Sequence, residues 1–328
     1  MTRDVLFPRL IIALLIVAPI TAFALTHGRA KTASKLVRAL CWSLRIASLV
    51  PWLGVVLFLT WLAANSRDYD PDVTKWIEVQ RPTEPAEHEI WLYAANRSDV
   101  AWMLARRGDD VRAHLFGWRE MLKRVFASPP FVPRAEQFSG GRAFHVNDGW
   151  LVGFNEGEFG AALYWFSNDG SRKYKVSDDQ VVDFMATPTG IIAIQGLAHL
   201  GMSDGSVVEL AKNPDTGRWA SKERRSLPQA PECFVRSKDG RLFIALSDSL
   251  ALLIPDNKLE VLVQSTEWVR PDTIVTSADE SKIYIGTWQY VCEYDMQTKS
   301  FRYLIPDLTF LNRLPKEKEE QVRQQYRQ

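Results

Sequence analysis

The chain has 328 residues, with 40 Lys and Arg against 39 Asp and Glu, a net charge of +1, and 46% hydrophobic residues. So balanced a charge leaves no electrostatic footprint for nucleic acid, while the hydrophobic share supports a sizeable core. The three cysteines, Cys41, Cys233 and Cys292, show no Cys-x-x-Cys spacing, which excludes a zinc knuckle.

In chain order, two charge-free apolar stretches come first, at 10–25 and 46–64. Each approaches the roughly 20 residues that a helix needs to span the hydrocarbon core. The loop between them carries Arg29, Lys31, Lys35, Arg38 and Arg45 and no acid. Residues 66–90 instead hold seven acids against three bases. By the positive-inside rule this predicts a transmembrane α-helical hairpin over 1–64, with its loop in the cytoplasm and the large remainder outside it. The protein is then an integral protein of a plasma or bacterial inner membrane. Its expected partners are the lipid bilayer and other membrane or envelope proteins. Neither apolar stretch holds an ionisable residue, so an anchor is expected and an ion pathway is not. A cleaved leader is the rival: Arg3 and Arg9 precede the apolar run, and Ala22-Phe23-Ala24 resembles a cleavage site. It fits the charge rule less well, because cleavage there would export the basic loop.

Asp70-Pro71, Arg81-Pro82 and Glu84-Pro85 punctuate an acidic linker over 65–88. Residues 89–135 are expected to form a short strand at 89–95 and two amphipathic helices. Ser98 caps the first of these, which runs to about Arg107. The second covers 110–125, with Val111, Leu115, Trp118, Leu122 and Val125 as one apolar stripe.

From 142 to 307 the period changes to two. Turns at Asn147-Asp148-Gly149, Thr189-Gly190, Lys238-Asp239-Gly240 and Asp279-Glu280-Ser281 each lead into an aliphatic strand, at 150–154, 191–194, 242–246 and 283–286. In the first, third and fourth units two further strands follow. The second departs from this form, with 195–201 read as an insertion. Four strands in roughly 40 to 50 residues, repeated, is the spacing of propeller blades. The segments resemble the general β-propeller repeat class, with quinoprotein, lactonase and surface-layer-type repeats as the likenesses. That resemblance implies an all-β, propeller-like domain of four blades, or five if 89–95 completes one. The alternative is an antiparallel β-sandwich. The cofactor signatures of those families are absent, so no cofactor and no activity is carried over, and residues 308–328 form a charged tail read as a frayed helix or disorder.

Propellers commonly bind ligands at the mouth of the central channel. Glu156 and Glu158 flank Gly157 on a hairpin loop, where paired carboxylates can hold a cation or share a proton. A solvated Gly-rich turn is the plainer reading. Asp178, Asp179 and Asp183 lack EF-hand spacing and read as an acidic loop. His199 lies among Leu197, Ala198, Leu200 and Gly201 and could serve as a base, though a hydrogen-bonded core imidazole is the commoner case. His145 is a weaker candidate of the same kind. No phosphate loop or His-Glu-x-x-His appears, and no metal site is expected. The leading expectation is a membrane-anchored binding or assembly module. The alternative is a propeller-type hydrolase or lyase with His199, Glu156, Glu158 and Asp183 at the channel mouth.

Overall fold

The chain divides into two compact units, Met1–Asp68 and Tyr69–Gln328. The computed structural model describes residues 72–116, 127–188, 190–264 and 266–327, together with Lys35, Ser43, Leu53, Gly54 and Leu57. Apart from those five residues, the expected transmembrane hairpin lies outside the described residues. Among the described residues no helix is long and apolar enough to cross a membrane.

The second unit opens with a single 3-10 turn, Val73–Lys75, capped by the Asp72 carboxylate, and with strand β1 (Ile77–Val79). Helix α1 (Pro85–Asn96) follows, where a strand was expected at 89–95. Its cause lies at its start: the Glu84 side chain accepts the Glu87 N–H, and Pro85 fills the first turn. Ala86, Ile90, Trp91, Ala94 and Ala95 then recur on one helical face and are buried.

Strands β2 (Trp102–Arg107) and β3 (Asp110–Leu115) pair as a hairpin around Gly108, whose φ of 62° suits the tight turn. This hairpin stands in place of the helix expected over 98–107 and of the described part of that expected over 110–125. Val111 and Ala113 are buried while Asp110, Arg112 and His114 are not, a two-residue alternation that the wider count from Val111 to Val125 overrode. Trp118, Leu122 and Val125 lie outside the described residues.

After the short pair β4 (Arg134–Ala135) and β5 (Phe138–Ser139), four antiparallel sheets of four consecutive strands follow. The first holds β6 (Arg142–Val146), β7 (Gly149–Asn155), β8 (Ala161–Phe166) and β9 (Lys173–Ser177). The second holds β10 (Val181–Thr187), β11 (Gly190–His199), β12 (Met202–Lys212) and β13 (Trp219–Leu227). The third holds β14 (Pro231–Arg236), β15 (Leu242–Leu246), β16 (Ser249–Leu253) and β17 (Leu259–Gln264). The fourth holds β18 (Thr273–Thr276), β19 (Lys282–Gly286), β20 (Val291–Asp295) and β21 (Phe301–Ile305), and β1 joins its outer edge against β21. Residues 195–201 are no insertion; they lengthen β11 and turn directly into β12.

Successive sheets meet at their innermost strands. A side chain at Gly153 would collide with Val181 at the start of β10, and one at Gly205 with Pro231 at the start of β14. One at Gly286 would collide with the Trp102 carbonyl in β2. The β2–β3 hairpin therefore stands beside the fourth sheet as β10 stands beside the first, and occupies a fifth position with two described strands. The core fills the spaces between sheets: Leu151, Val181 and Val208 between first and second, Ile194, Leu227 and Ile244 between second and third. Phe243, Ile283, Ile285 and Cys292 lie between third and fourth, closed by Trp91 of α1. This order of separate small sheets is that of propeller-like repeats; a sandwich would pack its strands as two facing sheets.

The charged tail is docked. Helix α2 (Lys316–Gln325) buries Val322, which with Leu314 packs on Ile90 and Ala94 of α1, and Arg323 Nε meets Glu87 Oε1 at 2.6 Å.

Strand direction defines two faces. Inner strands β6, β10, β14 and β18 begin on what is here the upper face, which also carries the connections β7–β8 and β11–β12. The lower face carries the turns that join the first to the second and the third to the fourth strand of each sheet.

Candidate functional site at the upper face

The starts of the inner strands bring charged groups together. Register shifts between Val181 and Asp183, and between Pro231 and Cys233, mark bulges that re-aim side chains where β10 and β14 begin. Arg142, at the start of β6, reaches Asp183 Oδ1 through Nε at 3.0 Å and Nη2 at 2.8 Å. The Phe184 N–H donates to the same oxygen at 2.8 Å. Asp183 is thus held between two sheets by a guanidinium and a backbone N–H. Burial, followed by the charge of Asp272, pushes the Glu232 carboxyl above its ordinary range, and Arg270 opposes the shift. The buried Cys233 thiol is pushed well up by burial and then by Glu232, Asp183 and Asp272, which leaves it inert. Cys292, also a free buried thiol, is pushed up by burial.

Three acids from the starts of three successive inner strands therefore act on one thiol. Of these, sequence reasoning singled out Asp183 and missed Glu232 and Asp272. They share no repeat position that could have signalled them: Glu232 is equivalent in register to Val182, and Asp272 precedes β18. Among the described residues no group of three or more His, Cys, Asp and Glu side chains is placed to hold a metal ion.

The other singled-out residues stand on the outlying hairpins. His199 Nε2 lies 2.7 Å from Glu158 Oε2. The nitrogen is enclosed, yet it makes no aligned hydrogen bond, so the contact is one of proximity. Both side chains are partly exposed, and His199 is no core imidazole. Glu156 is exposed on the same loop, which closes as a tight turn: Asn155 Oδ1 accepts the Gly157 N–H at 3.1 Å and the Gln180 amide at 2.9 Å. Asp178 pairs with Lys175 at 2.5 Å, and Asp179 accepts the Ser177 hydroxyl at 2.6 Å. His145, on β6 next to the lower turns, packs its ring against Trp150 at 4.7 Å, far along the strand from the upper face.

Sequence reasoning also passed over a Gly-x-Ser-x-Gly spacing. Gly201-Met202-Ser203-Asp204-Gly205 matches the spacing of a hydrolase nucleophile elbow. An elbow needs a strand, a sharp turn and a helix; here the turn leads into another strand, and the serine is the second residue of β12. Its hydroxyl accepts the Ala230 N–H at 2.8 Å and contacts the Ser247 hydroxyl at 2.9 Å, so it joins the second sheet to the third. An open groove of about 650 Å³ runs beside Arg224, Arg225, Leu259 and Val261, and none of the singled-out residues lines it.

No family model and no curated protein matches the chain. Among solved structures, a gluconolactonase from Xanthomonas campestris aligns over 58% of this chain and 61% of its own, with 12% identity and a TM-score of 0.35. TolB from Acinetobacter baumannii aligns over 49% of this chain and 41% of its own, at 13% identity and a TM-score of 0.32. YCF48 bound to D1 peptide aligns over 54% and 58%, at 11% identity and a TM-score of 0.33. The chain spans less than two thirds of each. The propeller-like fold accordingly stands on the sheet order and the packing of successive inner strands.

Proposed function

We propose that the protein is a membrane-anchored, extracytoplasmic binding or assembly module built on a propeller-like ring. The anchor and its orientation draw their support from the charge-free stretches at 10–25 and 46–64 and from the basic, acid-free loop between them. The binding role draws on one observation above all: the side chains that an enzyme would need are divided. His199 and Glu158 pair on exposed hairpins, whereas Asp183 is spent on Arg142 and a backbone N–H. General acid–base catalysis needs such groups around one concave pocket. The enzyme reading retains one favourable observation, the 2.7 Å approach of His199 to Glu158.

The two readings separate in one experiment. The full chain is purified from detergent-solubilised membranes, as wild type and as His199→Gln. A complex of fixed stoichiometry that forms equally well with the variant is the expected result. Turnover of a small substrate by the wild type, lost in His199→Gln while complex formation persists, would overturn it. A reporter that is active only outside the cytoplasm, fused after Gln328, tests the orientation, and silence there refutes it.

A further inference from the structure

Both faces of the β unit carry acids, and they differ in the apolar side chains they expose. On the lower face, turn after turn carries an aspartate, including Asp148, Asp169, Asp215, Asp239, Asp256 and Asp279. No described lower-face turn exposes a large apolar side chain. On the upper face Leu200 is 86% exposed, Phe159 79%, Met202 70% and Leu308 67%. Ile77, Leu115 and Phe116, the remaining exposed large apolar residues on strands or strand connections, stand at the same end. Scattered apolar residues need no explanation, but segregation to one face does.

The most exposed of them are also the most deliberately placed. Beyond the Val181–Gln195 pairing, the β11–β12 ladder continues for four more pairs, to His199 opposite Met202. That carries its tip roughly 13 Å past the start of the inner strand. Leu200 occupies the tip with φ 46°, followed by Gly201 with φ 82°. Asn or Gly fills such a left-handed turn position without strain, so a leucine there retains a bulky apolar group at a backbone cost. The His199–Glu158 contact ties this tip to the loop that carries Phe159.

The chain also says what lies nearby. The second apolar stretch ends at Ala64, eight residues before Asp72. Fully extended, that length covers no more than about 28 Å. Asp72 itself bridges Arg112, antiparallel to β3, which runs toward the upper face.

We propose that the upper face rests on the lipid bilayer, with Leu200, Met202 and Phe159 seated at the boundary between headgroups and acyl chains. This rests on the anchored reading above. An apolar tip on a rigid hairpin, held near the membrane by a short tether, adds a second attachment to the anchor. Glu156 and Glu158 beside the tip disfavour an anionic surface, so zwitterionic lipid is the assigned contact.

The test uses the full chain in a Cys41→Ser background, reconstituted into phosphatidylcholine vesicles that contain doxyl-labelled phosphatidylcholine. An environment-sensitive fluorophore is attached at Leu200→Cys, at Met202→Cys as a second tip position, or at Asp239→Cys on the lower face. Both tip labels should shift to the blue and lose roughly two-fold or more of their emission to the quencher, with Asp239→Cys unchanged. In vesicles made largely of phosphatidylglycerol the quenching should be weaker. Carbonate-resistant protein whose tip labels are quenched no more than the Asp239 label would overturn the proposal while leaving the anchor standing. Protein released by alkaline carbonate would overturn the anchor and the proposal together. A blue shift in native membranes that pure lipid does not reproduce would assign the tip to a protein partner, which also overturns it.

Discussion

Gly286 of β19 lies directly against the carbonyl of Trp102 in β2, so close that a methyl group could not be inserted between them. This contact seats the β2–β3 hairpin beside the fourth sheet. Thr273 reinforces it, since its hydroxyl oxygen accepts the Leu104 N–H at 3.0 Å. Gly286→Ala should therefore cost about 1 to 3 kcal/mol through forced backbone shifts. Urea denaturation of the variant would measure it. An unchanged midpoint would mean that the hairpin is not held against the fourth sheet.

The lower turns repeat a small device. Ser167, Ser237 and Ser277 donate their hydroxyls to Asp169, Asp239 and Asp279, two residues on. These bonds, joined by N–H and side-chain donors from Ser171, Arg241 and Ser281, hold all three carboxyls down to about 2. A carboxyl depressed in the folded state contributes stability above its unfolded value, near 4, and loses it as pH falls through about 2. Stability should therefore decline from pH 4 to pH 2. A variant with all three aspartates changed to Asn should show a shallower decline in its urea midpoints over that window, and an identical slope would remove these turns from the account.

The His199–Glu158 pair joins two hairpins on the surface, and both groups are partly exposed. Solvent screening limits such a pair to under about 1 kcal/mol. Glu158→Gln and His199→Gln should each lower stability by no more than that, and the double variant should match the larger single change. A loss of several kcal/mol from either would show that the β11–β12 tip is structurally required by the fold.

Much of the repeat order was legible because each repeat announces itself twice, by a Gly- or Asp-bearing turn and by an aliphatic strand such as Leu242-Phe243-Ile244-Ala245-Leu246. The first 70 residues of the β unit were harder. In 89–95, Ile90, Trp91, Ala94 and Ala95 are buried on one helical face. Over seven residues, though, a helix and a buried strand look alike unless the Glu84 cap and Pro85 are counted. In 110–115 the alternation was present and lost to a longer apolar count. The His199–Glu158 approach was unreadable, because it depends on the length of β11, and that length was taken for an insertion. Glu232 went unnoticed because its neighbours Pro231 and Cys233 look unlike Val181 and Asp183, although the bulge falls at the same place in both strands.

Trp91 offers the sharpest test of how α1 closes the wedge between the third and fourth sheets. Its indole is buried, stacked on Tyr290 at 5.1 Å and edge-on to Tyr303 at 4.9 Å. Its Nε1 is buried and has no hydrogen-bond partner, so the ring contributes by packing alone. Trp91→Ala should then cost about 3 to 5 kcal/mol, the range for deleting a buried aromatic side chain. Trp91→Phe should cost clearly less, because it keeps an aromatic face against the tyrosines and removes the N–H whose burial is uncompensated. Thermal and urea unfolding of the two variants, compared with wild type, give the order. If Phe proved as damaging as Ala, the indole N–H would have to find a partner in solution, and if neither variant were destabilised, α1 would not be seated in the wedge.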